Sequence, residues 1–472
     1  MVFSSLEFIF YFLPAFLICY FLVPQKFRNL ILCLGSIVFY ALGTLDHPLY
    51  ILLIIASILV NYLLALIMNH PASRKKRILI LGLIYNFSWL FVFKYADFLF
   101  SGINAILIGI FPQGNVQIKP LGLVLPIGIS FYTFQIVSYL IDVYRGKYRA
   151  ERSLIDLGTY ICMFPQLIAG PIVTYTEIKN QLKTRTCGKR DLIAGLQMFI
   201  FGLGLKVLLA NRIAGLWTAL STIGYESITT PLAWMGLFAY TFQIYFDFFG
   251  YSLMAIGLGR MLGFRLPINF CHPYLSLSIT EFWRRWHITL GRWFREYVYI
   301  PLGGSRKGKA RMIFNLLIVW LFTGLWHGAS LNFLLWGLGF FVVLSLEKFG
   351  LKTFLDHHPS LGHLYLLILI PLSWSLFAIT DLSQLSLFLD RLFPFFSQTE
   401  ATVVFHQDYL KYAKDYGLLL LICFFFITKL PYELFSKKHD SFWGTLFLLV
   451  VFWASVYCMY KGLNDPFLYF RF

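Results

Sequence analysis

The residue with the clearest chemical potential in this sequence is a histidine inside a long apolar run. His327 lies in "FTGLWHGASLNFLLWG", residues 322–337, between Trp326 and Gly328, and Asn332 is the next strongly polar residue. A neutral imidazole can accept and return a proton near pH 7, because its unperturbed pKa is ~6.5. Ionisable side chains are costly in a membrane segment and usually function there, which favours acid–base chemistry. The alternative is a structural histidine bonded to a helix carbonyl.

A second histidine occurs in the most unusual stretch of the chain, "PINFCHPYLSLSITEFWRRWHITLGRWFREYVYIPLGGS", residues 267–305. This stretch combines His287 with two arginine clusters and three tryptophans. It is too charged to face lipid, since one charge at the bilayer centre costs roughly 3 kcal/mol. The stretch therefore either lines a polar cavity within the protein or lies at the membrane interface as an anchor of Trp and Arg side chains.

The spacing within this stretch predicts an amphipathic helix with paired charges. Side chains four residues apart meet on one helix face. Three pairs have this spacing: Glu281 with Arg285, Trp283 with His287, and Arg292 with Glu296. Ser278 or Thr280 is a suitable N-cap for such a helix.

The composition indicates what kind of elements must position these residues. Of the 472 residues, 59% are hydrophobic and 13% are charged, against roughly 45–50% and ~25% in a soluble globular protein. The apolar runs are continuous and of helix length, which excludes a membrane β-barrel with its alternating segments. We therefore predict an all-α integral membrane protein, one polytopic domain over residues 1–472. It should have roughly ten to twelve crossing helices plus re-entrant or interfacial helices.

The apolar runs define thirteen candidate segments, some of which are too short or too long for a simple crossing of ~20 residues. A mixed-polarity stretch, residues 381–414, is predicted to be a surface or interfacial segment. The candidate segments are 5–23, 28–43, 48–68, 77–99, 120–143, 154–172, 191–210, 231–260, 311–326, 330–347, 363–380, 415–431 and 441–461.

The formal net charge of +17, from 39 Lys and Arg against 22 Asp and Glu, could suggest nucleic-acid binding in a soluble protein. Here the basic residues cluster in short loops between apolar runs, a pattern that indicates contact with the cytoplasmic face and its anionic lipid. We therefore expect no nucleic-acid partner. The loops at Lys26, Arg28 and "RKKR" 74–77, taken as cytoplasmic, place the N-terminus outside a multi-pass cell membrane protein.

The seven cysteines are scattered, and no pair has the C-x-x-C spacing of a metal or redox site. Most lie in apolar runs, where a small buried thiol is the ordinary interpretation. We expect neither a metal site nor a permanently bound cofactor. The cysteines are at positions 19, 33, 162, 187, 271, 423 and 458.

Five stretches, in order along the chain, resemble the membrane-bound O-acyltransferase (MBOAT) family, in particular its bacterial branch that contains the alginate O-acetylation membrane subunit. The resemblance covers essentially the whole chain, and the two histidine-bearing stretches carry most of it. The five are "LPIGISFYTFQIVSYLIDVYRG" (125–146), "FPQLIAGPI" (164–172), "FWRRWHITLGRWFREYVYIPLGGSR" (282–306), "LWHGASLNFLLWG" (325–337) and "DPFLYFRF" (465–472).

The sequence departs from that branch at four positions near the histidine-bearing stretch. Phe249 stands where the branch usually has a small polar residue, and Leu253 stands where it usually has aspartate. In "NFCHPY", Cys271 and His272 replace the usual Asn-Arg or Asn-Lys before Pro-Tyr.

The resemblance implies a fold and a set of site residues. The fold would be a ring of transmembrane helices around a central tunnel, with an acyl donor entering from the cytoplasm and an acceptor on the far side. His327 matches the family's catalytic histidine, and His287 matches a second, less uniformly essential one. Their neighbours are the candidate supporting residues: Trp326, Gly328, Asn332 and Trp283.

The activity implied by the resemblance is acetyl transfer from a thioester such as acetyl-CoA to a hydroxyl group. This reaction needs a base for the hydroxyl proton, stabilisation of the oxyanion and exclusion of water. His327 would be the general base, Gly328 would allow close backbone approach, and Asn332 would orient the ring or donate to the oxyanion. Guanidinium groups match phosphate geometry, so the candidate donor-binding residues are Arg284, Arg285, Arg292 and Arg295.

The expected acceptor is an extracytoplasmic, alginate-like polysaccharide, reached through an acetyl-transferring partner protein of the SGNH-hydrolase kind. No G-x-S-x-G elbow suggests a covalent serine on this chain. Two alternatives remain open: another task of the same family, such as peptidoglycan O-acetylation or D-alanyl transfer to teichoic acid, or a non-enzymatic membrane transporter. A transporter would favour repeated halves, and none is visible in the sequence.

Overall fold

The computed structural model of the protein is helical, and no β-strand occurs in the part of the chain that it describes, residues 1–111, 117–396, 405–462 and 468. The predicted all-α class is therefore confirmed. The chain falls into two compact units, which are described separately below.

Eight helical segments within the described residues are long and apolar enough to cross a membrane, which supports a multi-pass membrane protein. A ninth crossing results if Asp408–Phe426 and Leu430–Lys438, which meet at a bend of 70°, form one broken span. The eight segments are Gln25–Gly43, Leu49–Asn69, Lys75–Ile110, Lys189–Ile223, Lys309–His327, Leu331–His357, Pro359–Ala378 and Phe442–Tyr460.

Several predicted crossings form helices that do not meet this test. Phe8–Leu22 and Ile129–Tyr144 are shorter than the ~20 residues of a simple crossing. The run 154–172 forms two short helices, Leu154–Cys162 and Phe164–Leu167. Thr230–Met261 is long enough, but most of its residues are buried within the protein, where a helix need not be apolar throughout.

The first unit comprises Met1–Gly188, Leu262–Pro267 and Gly328–Ser330. A five-residue π-helical segment, Phe8–Phe12, precedes its first helix. Its helices are α1 (Leu13–Leu22), α2 (Arg28–Gly43), α3 (Leu49–Asn69), α4 (Lys75–Ile110), α5 (Ile129–Tyr144), α6 (Leu154–Cys162), α7 (Phe164–Leu167) and α8 (Tyr175–Lys183).

Two of the quoted motif stretches, 125–146 and 164–172, pack directly on each other in this unit. Gly128 begins α5 with a φ of +75°, a conformation that side chains rarely adopt. A Cβ at this position would lie 2.4 Å from the carbonyl oxygen of Leu167. Glycine is therefore needed here both for its backbone conformation and for the close approach of the two stretches.

The second unit comprises Lys189–Met261, Ile268–His327 and Leu331–Phe472, and it contains both histidines of interest. Three π-helical segments interrupt its helices, at Leu205–Ala210, Arg295–Tyr299 and Glu347–Leu351. Its helices are α9 (Lys189–Gly204), α10 (Asn211–Ile223), α11 (Thr230–Met261), α12 (Ile279–Arg285), α13 (Ile288–Phe294), α14 (Lys309–His327), α15 (Leu331–Leu346), α16 (Lys352–His357), α17 (Pro359–Ala378), α18 (Leu382–Leu392), α19 (Asp408–Phe426), α20 (Leu430–Lys438) and α21 (Phe442–Tyr460).

Glycine contacts bring α14 and α15 together beside the second histidine-bearing motif. A Cβ on Gly324 would lie 2.4 Å from the carbonyl oxygen of Phe333, and one on Gly337 would lie 2.5 Å from that of Trp320. Small residues allow membrane helices to approach this closely. His327 is the last residue of α14, so this contact determines which side chains of α15 surround its ring.

The Gly324→Ala substitution is expected to destabilise the protein by about 1–3 kcal/mol, because the added methyl group has no room between α14 and α15. Acetyl-transfer activity should fall as well, since the two helices carry the surroundings of His327. The thermal midpoint in detergent and the activity of the folded fraction would measure both effects. Gly339→Ala is the matched control on α15, since its Cβ would meet nothing within 4 Å. An unchanged midpoint for Gly324→Ala would contradict the packing argument.

Two predicted segments are described only in part. The interfacial stretch 381–414 contains α18, whose N-terminus is capped by the Asp381 side chain, but residues 397–404 lie outside the described residues. Of the terminal motif 465–472, only Leu468 is described. Its backbone N–H donates to Oδ2 of Asp247 at 2.8 Å.

Candidate active site

The stretch around His287 does not form the single amphipathic helix that the spacing predicts. It breaks at Trp286 and His287, which are extended and left-handed (φ +45°) respectively, so α12 and α13 are separate seven-residue helices. Trp283 and His287 consequently do not share a helix face. The predicted cap is confirmed, because Ser278 Oγ accepts the N–H of Glu281 at 3.2 Å, and so is the Glu281–Arg285 pair at 2.5 Å.

The break is held by a neighbouring segment of the same unit. The N–H of Cys271 donates to the carbonyl of Arg285 at 2.9 Å, and the N–H of Ile288 donates to the carbonyl of Asn269 at 3.0 Å. The indole of Trp286 turns into the hydrophobic core, where it is 4% exposed. Backbone pairing and aromatic burial thus outweigh the local preference for a continuous helix.

His287 is buried, and its ring orientation is determined by Asn269. His287 Nδ1 lies 3.1 Å from Asn269 Oδ1, and the same oxygen accepts the N–H of Thr289 at 3.3 Å and its hydroxyl at 3.0 Å. The backbone N–H can only donate, so the amide oxygen must face this side. His287 Nδ1 is therefore the donor, and the neutral ring carries its lone pair on Nε2.

Burial lowers the pKa of His287 to about 3, so the ring is neutral at physiological pH. The residue lies between α12 and α13, outside the helices that meet the membrane-crossing test. Phe248 of α11 contacts the ring at a centroid distance of 4.7 Å in a perpendicular arrangement. His287 can thus accept a proton or a hydrogen bond on Nε2 without competing protonation from solvent.

This low pKa predicts a loss of stability in mild acid. Between the unfolded value near 6.5 and the folded value near 3, the unfolded chain binds a proton at His287 and the folded protein does not. Stability should therefore decrease as the pH falls below about 6.5, by roughly 1.4 kcal/mol per unit from this group. Thermal midpoints in detergent between pH 7.5 and 5 should depend less on pH for His287→Gln than for wild type. The exposed His406→Gln is the control, and a full acid slope in His287→Gln would contradict the assignment.

His327 lies at the end of α14 in an aromatic enclosure within the same unit. Its side chain is only 9% exposed. Near-perpendicular ring contacts are made by Trp326 (centroids 4.9 Å apart), Trp336 (5.2 Å) and Phe377 (5.0 Å). Phe333 stacks at 6.3 Å. This enclosure keeps water away from the imidazole, as a thioester reaction requires.

The indole of Trp326 connects the two histidines. It contacts the ring of His327 at 4.9 Å and that of His287 at 6.0 Å. The structure therefore brings together the two residues that the sequence singled out, 40 positions apart. Trp283 lies against Trp336 at 5.5 Å, so it supports the His327 enclosure instead of sharing a helix face with His287.

Asn332 and Gly328 occupy positions that differ in what they can do. The side-chain N–H of Asn332 donates to the carbonyl of Ile379 at 2.6 Å, which holds the start of α15 to the segment after α17. Gly328 is buried and directly follows the last residue of α14. The observed hydrogen bond assigns Asn332 a structural contact, alongside which its predicted role at the oxyanion stays a prediction.

The four arginines proposed for the donor are not equivalent. Arg285 is half-buried and paired with Glu281. Arg284 and Arg295 are exposed, and Arg292 is half-buried. Only the exposed pair offers guanidinium groups to a solvent-borne phosphate without prior rearrangement.

Sequence reasoning did not assign three residues that shape the site. Asn269 orients His287, Phe248 packs on its ring, and Trp336 packs on His327. Trp336 was visible as the tryptophan of "LWHGASLNFLLWG", and Asn269 begins "NFCHPY". Phe248 carried no local signal, because it reaches the site from α11. Among the described residues, no group of three or more His, Cys, Asp or Glu side chains could hold a metal ion.

Comparison with known proteins adds an independent line of evidence. The sequence model of the membrane-bound O-acyltransferase family matches residues 145–354, which include both histidines. The chain is 44% identical over 357 residues to a probable alginate O-acetylase of Pseudomonas syringae pv. tomato, an alignment that covers 75% of this chain and 67% of the relative. It is 40% identical over 399 residues to a probable alginate O-acetylase of Pseudomonas putida, covering 84% and 81%.

A relative with a different printed acceptor is almost as similar. The chain is 38% identical over 385 residues to a peptidoglycan O-acetyltransferase of Helicobacter pylori, with 74% of this chain and 70% of the relative aligned. The relatives therefore agree on O-acetyl transfer and differ in the polymer that is modified.

Proposed function

The chain belongs to the membrane-bound O-acyltransferase family, and from that premise we propose that it transfers acetyl groups from a cytoplasmic thioester donor to an extracytoplasmic polysaccharide, with His327 as general base. Acetyl-CoA is the proposed donor. An alginate-like exopolysaccharide is the proposed acceptor, reached through an acetyl-transferring partner protein of the SGNH-hydrolase kind. The protein would lie in the cytoplasmic membrane with its N-terminus outside.

The observation that carries this proposal is the enclosure of the His327 imidazole by Trp326, Trp336 and Phe377, with His287 against the same Trp326. In the proposed reaction His327 takes the proton of the attacking hydroxyl. The oxygen adds to the thioester carbonyl, and collapse of the tetrahedral intermediate breaks the carbon–sulfur bond. His327 then returns the proton to the leaving thiolate, which balances the reaction without a further co-reactant.

His287 supports the same step as a neutral acceptor. Its Nε2 lone pair, oriented through Asn269, can accept a hydrogen bond from the incoming hydroxyl and align it for attack. Alignment of this kind lowers the barrier because it converts an encounter into a positioned reaction. The exposed Arg284 and Arg295 are the proposed contacts for the phosphates of the donor.

Peptidoglycan is a second candidate acceptor, favoured by the 38% identity to the Helicobacter pylori peptidoglycan O-acetyltransferase. The reaction and the roles of the histidines would be the same, and only the polymer would differ. D-alanyl transfer to teichoic acid and a transport function are less well supported, since neither is indicated by the relatives reported above.

The decisive experiment is to purify the protein in detergent with whatever co-purifies and to supply acetyl-CoA labelled in the acetyl group. Alginate-type polysaccharide and peptidoglycan fragments are offered in parallel, and alkali-labile acetyl esters are identified by mass spectrometry. We expect label on the hydroxyls of one polymer or of the co-purified protein. Absence of transfer from acetyl-CoA to any of them would refute the proposed donor and reaction.

A further inference from the structure

A buried carboxylate outside the histidine pair makes contacts that the proposed reaction does not use. Glu347 begins the π-helical segment that continues α15, within the candidate membrane span Leu331–His357, and is only 3% exposed. Ionisable residues are rare and expensive in such segments and are retained for a reason. The residues that Glu347 contacts identify the reason.

Glu347 binds the N-terminus of α12. Its Oε1 accepts the N–H of Ile279 at 2.6 Å, and its Oε2 accepts the N–H of Thr280 at 2.8 Å. These are the first two residues of α12, whose backbone N–H groups have no partner within the helix. The hydroxyl of Tyr365 also donates to Oε1 at 3.1 Å. The negative charge is favourable at the positive end of the helix.

Local side chains hold the remaining donors at this end, which makes Glu347 the long-range part of the arrangement. Ser278 Oγ accepts the N–H of Glu281 at 3.2 Å, and Glu281 Oε2 accepts the N–H of Leu277 at 2.8 Å. These bonds stabilise the helix turn but leave its location undetermined. Glu347, on another helix, is separated from Ile279 by 68 positions and ties the turn to α15.

Helix α12 leads directly to the surroundings of both histidines. Trp283, in its middle, contacts Trp336 at 5.5 Å, and Trp336 contacts His327 at 5.2 Å. At its other end, Arg285 and Trp286 lead into His287. A helix of seven residues has little internal slack, so a shift at its N-terminus would displace both ends of the site.

We propose that Glu347 is a positioning residue that fixes α12 against α15 and thereby aligns His287 with the enclosure of His327. This inference rests on the proposed catalytic role of the two histidines. Glu347 itself touches no reacting group. It acts by holding two backbone N–H groups, and the cost of losing them is misalignment of the site.

The Glu347→Gln variant keeps the side-chain volume but replaces one accepting oxygen with an N–H₂ group that opposes a backbone N–H. We expect kcat for acetyl transfer to fall by about tenfold to a hundredfold, with the KM for the donor changed less than about twofold, since misplacement of the order of 1 Å has effects of this size. Ser345→Ala is the matched control on the same helix, because that hydroxyl bonds only the carbonyl of Phe341 among the described partners. Tyr365→Phe keeps both backbone contacts of Glu347 and should have a small effect.

Amide hydrogen exchange gives a readout that does not depend on activity. In Glu347→Gln, exchange should accelerate over residues 279–287 and stay unchanged on α9 and α11. Unchanged kcat in folded protein, or unchanged exchange over 279–287, would overturn the proposal. A drop in folded yield with normal kcat per folded molecule would show a merely structural role and overturn it too. If wild-type protein transfers no acetyl group, the proposed function fails, whereas the exchange result still decides whether Glu347 holds α12.

Discussion

Replacing His327 with alanine is expected to lower acetyl transfer by about 10³-fold, within the range of 10²–10⁴ that positioned general bases contribute. The ring is enclosed by Trp326, Trp336 and Phe377, so no solvent base can replace it at the attacking hydroxyl. The measurement is the rate of transfer from labelled acetyl-CoA to polysaccharide by purified protein. Detergent gel filtration should show that the variant still folds.

The matched control is His363→Ala, which removes a half-buried histidine from α17, away from the enclosure. Its rate should stay within about twofold of wild type, since substitutions away from special features have small effects. Wild-type acetylation by folded His327→Ala would remove the catalytic assignment. A collapse of the thermal midpoint with normal activity per folded molecule would instead favour the structural histidine that the sequence left open.

The second large effect concerns an ion pair inside the second unit. Lys206, in the π-helical segment Leu205–Ala210, lies 2.7 Å from Oδ1 of Asp247 on α11, with side-chain exposures of 0% and 3%. Lys206 also donates to Oδ1 of Asn211 at 2.8 Å. Asp247 additionally accepts the N–H of Leu468. The pair therefore joins the α9–α10 segment, α11 and the end of the chain.

The Lys206→Met substitution is expected to destabilise the protein by about 3–5 kcal/mol, because it leaves the charge of Asp247 buried without its cation. Little folded protein should be recovered in detergent, and the thermal midpoint of what remains should fall. The double variant Lys206→Met, Asp247→Asn should recover much of this loss, because the neutral amide still accepts the N–H of Leu468. Equal stability of Lys206→Met and wild type would contradict the argument.

Composition and local spacing were sufficient for the class of fold and for several local contacts. The share of apolar residues determines a helical membrane protein, since only closed hydrogen bonding is tolerated in lipid. Ser278 as cap and the Glu281–Arg285 pair were predictable because their partners are three or four residues apart. The count of crossings was less predictable, because helices such as α11 are buried in the protein and need not look like lipid-facing spans.

The two histidines were also evident from sequence, because an imidazole among apolar or aromatic residues is costly wherever it is buried. Their mutual arrangement was not. The break before α13 depends on Asn269, 18 positions from His287, and Asn332 is engaged by a carbonyl 47 positions away. Glu347 reaches α12 from 68 positions away. Residue types and spacing thus determined which groups carry the chemistry. Tertiary structure alone decided how they are aligned, because hydrogen bonds between distant segments leave no periodic signal in the chain.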